Sequence, residues 1–171
     1  MPLLAITVLG HDRPGIIAEA TDALAGLGLN IEDSTMTLLR GHFAMMLITA
    51  GDADARTVEA ALAGLTADGS LSVAVRQVPA ESGTPTEASY LLSVHGGDRP
   101  GIVSSLAGEV AKVGGNITDL TTRLAGDLYV LSAEVDLPGG VDVDGLTAQL
   151  RAVADGLGVE VSLLPLESDD L

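Results

Sequence analysis

Two short clusters of this sequence bring together groups able to hold a carboxylate, and each cluster occurs twice. Asp12, Arg13, Pro14, Gly15 and Ile16 return as Asp98, Arg99, Pro100, Gly101 and Ile102. Proline fixes φ near the helical value and lacks an N–H that would go unsatisfied there, so helices are expected to start near Pro14 and Pro100. Asp12 and Asp98 lie where a carboxylate can accept from the free amides of a first turn, a cap worth roughly 0.5–2 kcal/mol. Gly15 and Gly101 fit less easily, because glycine inside a helix costs roughly 0.5–1 kcal/mol relative to alanine unless something must approach the backbone. Without a side chain there, amide N–H groups stand open at the positive end of a helix dipole, a seat for a carboxylate or another anion.

The second cluster follows the same helix. Gly28 and Gly114 suit the left-handed residue that ends a helix, and Asn30 and Asn116 stand at the mouth of the next strand with both a donor and an acceptor to offer. A helix stop and a turn-stabilising Asn account for these residues as well as a ligand site does, so both readings stand.

The elements that must position these residues are read from the repeat. An offset of 86 residues superposes both clusters without a gap, carrying Ile31, Asp33 and Thr35 onto Ile117, Asp119 and Thr121; one unit is used twice. In each copy Leu4, Ile6 and Val8, or their counterparts, alternate as in a strand. Ile17, Ala20, Leu24 and Leu27 then recur at helical spacing, as do Val103, Leu106, Val110 and Val113. A hairpin about Gly41 (about Gly126 and Asp127 in the second copy) is expected next. A second helix follows, with Asp52 or Asp54 as its cap and Val58, Ala61, Leu62 and Leu65 on one face; its counterpart begins at Asp142 or Asp144 and presents Leu146, Leu150, Val153 and Leu157. Each copy closes with a strand, over 71–78 and 159–166. The order βαββαβ, twice, predicts an α+β protein of two ferredoxin-like domains, each an antiparallel four-stranded sheet with its helices on one face. Domain boundaries are expected at 1–79 and 88–171, with a Pro-, Gly- and Ser-rich linker over 80–87.

Composition excludes several function classes. The chain has no cysteine, so disulfides, thiolate metal sites and cysteine nucleophiles are out. A formal charge of −16 repels phosphate backbones and anionic membranes, and one Phe, two Tyr and no Trp leave little for base stacking. No direct nucleic-acid or membrane partner is expected. The apolar N-terminus is short, lacks a preceding basic residue and alternates like a strand, which points to a cytoplasmic protein. His11, His42 and His95 have no compact metal-ligand spacing, and the Asp-rich stretches over 52–56 and 141–145 sit where helix caps are needed, so no metal and no cofactor are expected. Ser104 and Ser105 lack a base and an orienting acid and read as a solvated helix face; no catalytic residue is assigned. Phe43 and Tyr129 read as packing residues of the sheet, with a place at the border of a ligand interface as the alternative.

DRPGII followed by GLGLNIEDS, and DRPGIV followed by GGNITDLTT, resemble the ACT domain over essentially the whole chain. The resemblance implies the βαββαβ fold and an amino-acid ligand, held between the first loop and the Gly-x-Asn turn at an interface of two such units. It thereby implicates Asp12, Arg13, Pro14, Gly15, Ile16, Gly28 and Asn30, with Asp98, Arg99, Pro100, Gly101, Ile102, Gly114 and Asn116 in the second copy. Two units in this length are also similar to the glycine-cleavage-system transcriptional repressor group. That similarity implies a non-enzymatic regulatory protein that binds glycine or another small amino acid and controls a partner, a transcription regulator or a metabolic enzyme, and a homodimer fits the apolar sheet edges of such small units. The competing reading is an acylphosphatase-like hydrolase on the same fold, in which Arg13 would bind the anion and Asn30 would be catalytic. The copies differ at His11 and Gly97, at Leu29 and Gly115, and at Glu32 and Thr118, so their affinities need not match.

Overall fold

Residues 2–81 and 88–167 are described in the computed structural model of the chain. The alternation of Leu4, Ile6 and Val8 produces β1 (Leu3–His11), whose inward side chains are almost wholly buried. After α1 (Ile16–Gly26) come β2 (Asn30–Leu39) and β3 (His42–Ala50), joined at Arg40 and Gly41. Both joining residues have positive φ, 50° and 83°, as a two-residue type I′ hairpin requires. α2 (Ala55–Ala61), α3 (Ala63–Thr66) and β4 (Leu71–Val78) complete the first unit. The second runs β5 (Ala88–Gly97), α4 (Ile102–Lys112), β6 (Asn116–Ala125), β7 (Leu128–Leu137), α5 (Val143–Leu157) and β8 (Val159–Pro165).

All strand pairs are antiparallel, and the two sheets have the orders β2-β3-β1-β4 and β6-β7-β5-β8. The fold is therefore the expected pair of ferredoxin-like βαββαβ units. The chain divides into Met1–Ser82 and Gly83–Leu171; of the expected linker over 80–87, residues 82–87 lie outside those described. Each unit has its own core, in which the inner faces of the two central strands meet Ile16, Ala20 and Leu24, or Ile102, Leu106 and Val110, from the first helix. No helix among the described residues is long and apolar enough to cross a membrane.

Three local expectations are corrected. Ile16 and Ile102, each 2% exposed, begin the buried stripes, while Ile17 and Val103 point outward at 44% and 37%. Spacings of 3 and 4 are equally helical, and the choice falls to the turn that leads into the helix. That helix starts at Ile16 or Ile102 instead of at the proline, because Gly15 and Gly101 are the caps, left-handed at φ 88° and 95°. The expected second helix of the first unit is broken at Leu62 into α2 and α3, with Ala61 exposed and Val58, Leu62 and Leu65 buried.

Candidate functional site

The loop from β1 to α1 is shaped by Pro14 and Gly15. Gly15, at φ 88° and ψ 0°, has the dihedrals of the third residue of a type II turn, for which proline is favoured one position earlier. A Cβ on Gly15 would meet nothing within 4 Å. The glycine is thus required by its backbone conformation, and the expectation of a close approach to its backbone is not what explains it. Gly101, at φ 95°, repeats the geometry.

Neither helix start is closed by a side chain. The expected capping by Asp12 and Asp98 does not occur, because the turn places glycine at the cap and directs the chain away from the aspartates. Glu19 N donates to Gly15 O at 3.0 Å, and Ser105 N to Gly101 O at 3.0 Å, closing the first turns while leaving the preceding amides without a capping carboxylate.

These amides open into a cleft lined by Asp12, Arg13, Gly15, Ile16, Ile17 and Ala18, with Met36 from β2 and Phe43 from β3 as its far wall. A second depression runs along the same flank of α1, lined by Ala18, Thr21, Asp22, Ala25, Leu29, Asn30 and Ile31. Ala18 borders both. Together they form a furrow between α1 and β2, which run in opposite directions. β2 is an edge strand whose inward-directed Met36 and Leu38 remain 44% and 48% exposed, since no helix covers them.

The structure therefore places the two expected halves of the site at opposite ends of one furrow. α1 has 11 residues, about 16 Å of rise, between the Gly15 turn and the Asn30 turn. Ile16 and Ile102 belong to the core through their side chains and offer the site backbone groups only. Gly28, at φ 71°, follows the Leu27 cap and donates to Ala25 O at 2.9 Å, while Leu29 N donates to Leu24 O at 3.1 Å. This pair of bonds is the Schellman stop; Gly114 and Gly115 repeat it on Ala111 and Val110. Residues of the furrow that sequence reasoning missed are Ile17, Ala18, Thr21, Asp22, Ala25 and Met36. On α1 the signal was the set of residues left over once its buried stripe is fixed at Ile16, Ala20 and Leu24; Met36 on β2 had no such signal.

The copies differ most at the helix start. Arg13 donates from Nη2 to Glu19 Oε2 at 3.0 Å, and both side chains are partly exposed. Arg99 instead donates to the Gly156 carbonyl at 3.4 Å, and Ser104 and Ser105 stand where the first copy has Ala18 and Glu19. Clefts in the second unit are lined by Glu109, Lys112, Asp142 and Gln149 between α4 and α5, and by Arg151, Asp155 and Glu160 beside β8. Asp98, Arg99, Pro100, Gly101, Ile102, Gly114 and Asn116 line neither.

Among the described residues no three His, Asp or Glu side chains gather as a metal would need. His11 and His42 are opposite one another across β1 and β3, and His95 belongs to the other unit, where its Nε2 is 3.0 Å from Glu160 Oε2.

Fold and site define a tandem of ferredoxin-like units, each with an uncapped helix start beside its first edge strand. The chain belongs to the ACT domain family, whose profile matches residues 2–76 and 89–163. It is similar to the glycine cleavage system transcriptional repressor of Escherichia coli (strain K12), 28% identical over 158 residues that cover 92% of this chain and 80% of that protein. A UPF0237 protein of Streptococcus mutans is 51% identical over 43 residues, 25% of this chain and 49% of that one. Among solved structures, a Galdieria sulphuraria protein described only as unknown superposes with a TM-score of 0.82 at 28% identity, covering 97% of this chain and 99% of its own. A candidate glycine cleavage system transcriptional repressor superposes at 0.73 with 19% identity, covering 98% of each chain, and shares the fold.

Proposed function

We propose that this chain is a non-enzymatic regulatory protein of the cytoplasm that binds a small amino acid and passes its presence to a transcription regulator or a metabolic enzyme. The observation that carries the reading is the uncapped start of α1, open to the furrow against β2, in a chain of the ACT family similar over 92% of its length to a glycine cleavage repressor. The ligand's carboxylate docks on the free amides after Gly15, where the helix dipole favours negative charge. Asn30 marks the far end of this furrow, and Asn116 is its counterpart in the second unit. The connector over 80–87 joins the two sensing units. A ligand that prefers one arrangement of units shifts it by its differential affinity, which is the signal the partner reads.

The hydrolase reading loses support from the same geometry. Arg13 is engaged by Glu19, and Asn30 lies at the other end of α1, so the two do not face a common reacting group.

Thermal unfolding against a panel of amino acids tests the proposal. A ligand at 100 times its dissociation constant adds ~2.7 kcal/mol to the folded state. Ala18→Phe, which fills the junction of the two halves of the furrow, and its counterpart Ser104→Phe are expected to abolish the shift from one copy each. A well-folded protein whose transition no amino acid moves would overturn the reading.

A further inference from the structure

The outer face of the first sheet, opposite its helices, differs from that of the second in a way that repetition of the fold does not explain. Residues paired in register share a face, so the outward set of β1 includes Ala5 and Leu9, and that of β3 includes Met46, Ile48 and Ala50. Leu9 and Met46 are 50% and 44% exposed. At the equivalent positions of the second unit stand Leu91, His95, Ser132, Glu134 and Asp136. One chain thus holds two copies of one sheet, and only the first keeps the outer face of its central strands free of Asp, Glu, Lys and Arg, with His11 and His42 paired at one end of it.

The edges of that face are charged in a particular pattern. Asp33 pairs with Ile48, Ile48 with Ala5, and Ala5 with Arg76, so one row crosses the sheet from an acid on β2 to a base on β4. Both charged residues are exposed. A twofold axis parallel to the strands, between two such faces, lays β2 of one copy over β4 of the other. Asp33 then meets Arg76 of the second copy, and Arg76 meets its Asp33, about the apolar middle of the row. The corresponding row of the second unit, Asp119, Glu134, Leu91 and Leu164, carries two acids and no base, and would repel its own copy.

We propose that the outer face of the first sheet is the surface through which two copies of this chain associate, sheet on sheet, with the Asp33 and Arg76 edges paired across the twofold axis. A twofold contact needs a self-complementary patch, and this row is one. Charge of −16 on each copy opposes association, so the contact falls where the sheet is uncharged at its centre and complementary at its rim. Four strands of about nine residues span roughly 19 by 30 Å, so two such faces together remove on the order of 1,100 Å² from water. This clears the ~1,000 Å² of a specific contact, and small Ala5 and Ala50 let the sheets reach the ~10 Å spacing of packed sheets. The inference stands independently of any ligand.

Sedimentation of the full chain tests it without added amino acid. The native chain is expected to sediment as a dimer. Ile48→Glu, which copies the residue of the second unit, is expected to sediment as a monomer with unchanged circular dichroism, whereas Leu91→Glu on the second sheet is expected to remain a dimer. Asp33→Arg and Arg76→Glu are each expected to weaken association by ~10-fold or more, and mixing these two variants is expected to restore it, because each then supplies the charge the other lacks. A monomeric native chain, a folded Ile48→Glu dimer, or a failure of the mixed variants to recover would each overturn the proposal.

Discussion

Leu29 and Gly115 occupy equivalent turns and were one of the differences that suggested unequal ligand sites. Their surroundings assign them to packing. A Cβ on Gly115 would lie 2.8 Å from Val110 Cγ1 and 2.9 Å from Leu137 Cδ2, and a Cβ on Gly51 would lie 2.5 Å from Leu29 Cδ2. Gly51 and Leu137 are themselves equivalent under the repeat. The first unit therefore fills this corner from the turn and the second from the facing strand, with glycine opposite in each case. Gly115→Leu alone is expected to destabilise by about 1–3 kcal/mol through overpacking, and Leu137→Ala alone by about 2–5 kcal/mol through the cavity it leaves. The double variant is expected to lose at least ~1 kcal/mol less than the two combined. Urea unfolding of the four proteins measures this coupling, and additive losses would mean the two side chains do not share the space. The exchange was not legible in the sequence, where the offset shows two differences 22 residues apart and nothing that joins them.

At the scale of elements, helix starts in this chain are built in two ways. Asp142 caps α5 by accepting from Gly145 N at 3.0 Å, and Asp54 caps α2 by accepting from Thr57 N at 2.8 Å. Hydrogen bonding to Thr57 holds the Asp54 carboxyl below its ordinary 3.8. A depressed folded value means that the ionised cap stabilises α2 above the ordinary carboxylate range and that this contribution is lost as pH falls through the folded value. α1 and α4 use a left-handed glycine and no side chain. Asp142→Ala is therefore expected to cost about 1 kcal/mol, and Asp12→Ala less than ~0.5 kcal/mol. Thermal unfolding compares them, and equal costs would mean that Asp12 is a cap after all. Strand order, hairpins and both domain cores were legible because periods of 2 and 3.6 are carried by many residues at once. The helix start was not, since Pro-Gly fits both a first helical turn and a type II turn, and only the sign of φ at Gly15 separates them. The furrow was half legible: its two ends carry Gly and Asn, while its wall, Met36, is an apolar strand residue with nothing in its spacing to mark it.

For the molecule as a whole, duplication has preserved the scaffold and altered the charge at its two helix starts. In the first unit Glu19 lies within the first turn of α1 and neutralises Arg13 at 3.0 Å, so a ligand carboxylate arriving at the free amides meets a carboxylate already there. In the second unit Ser105 replaces Glu19, and no acidic residue lies in the first turn of α4. An anionic group near a helix N-terminus changes its interaction with another charge there by about 0.3–1 kcal/mol. If the amino acid's carboxylate seats on these amides, Glu19→Ser is expected to tighten binding at the first unit by roughly two- to fivefold, an effect that weakens with added salt. Titration calorimetry on a chain carrying Ser104→Phe, which obstructs the helix start of the second unit, isolates the first. Unchanged affinity in Glu19→Ser would place the carboxylate elsewhere along the furrow, nearer Asn30. A tightened first site would show instead that the carboxylate seats at the α1 start and that Glu19 holds the native affinity of this unit below what the free amides alone would give.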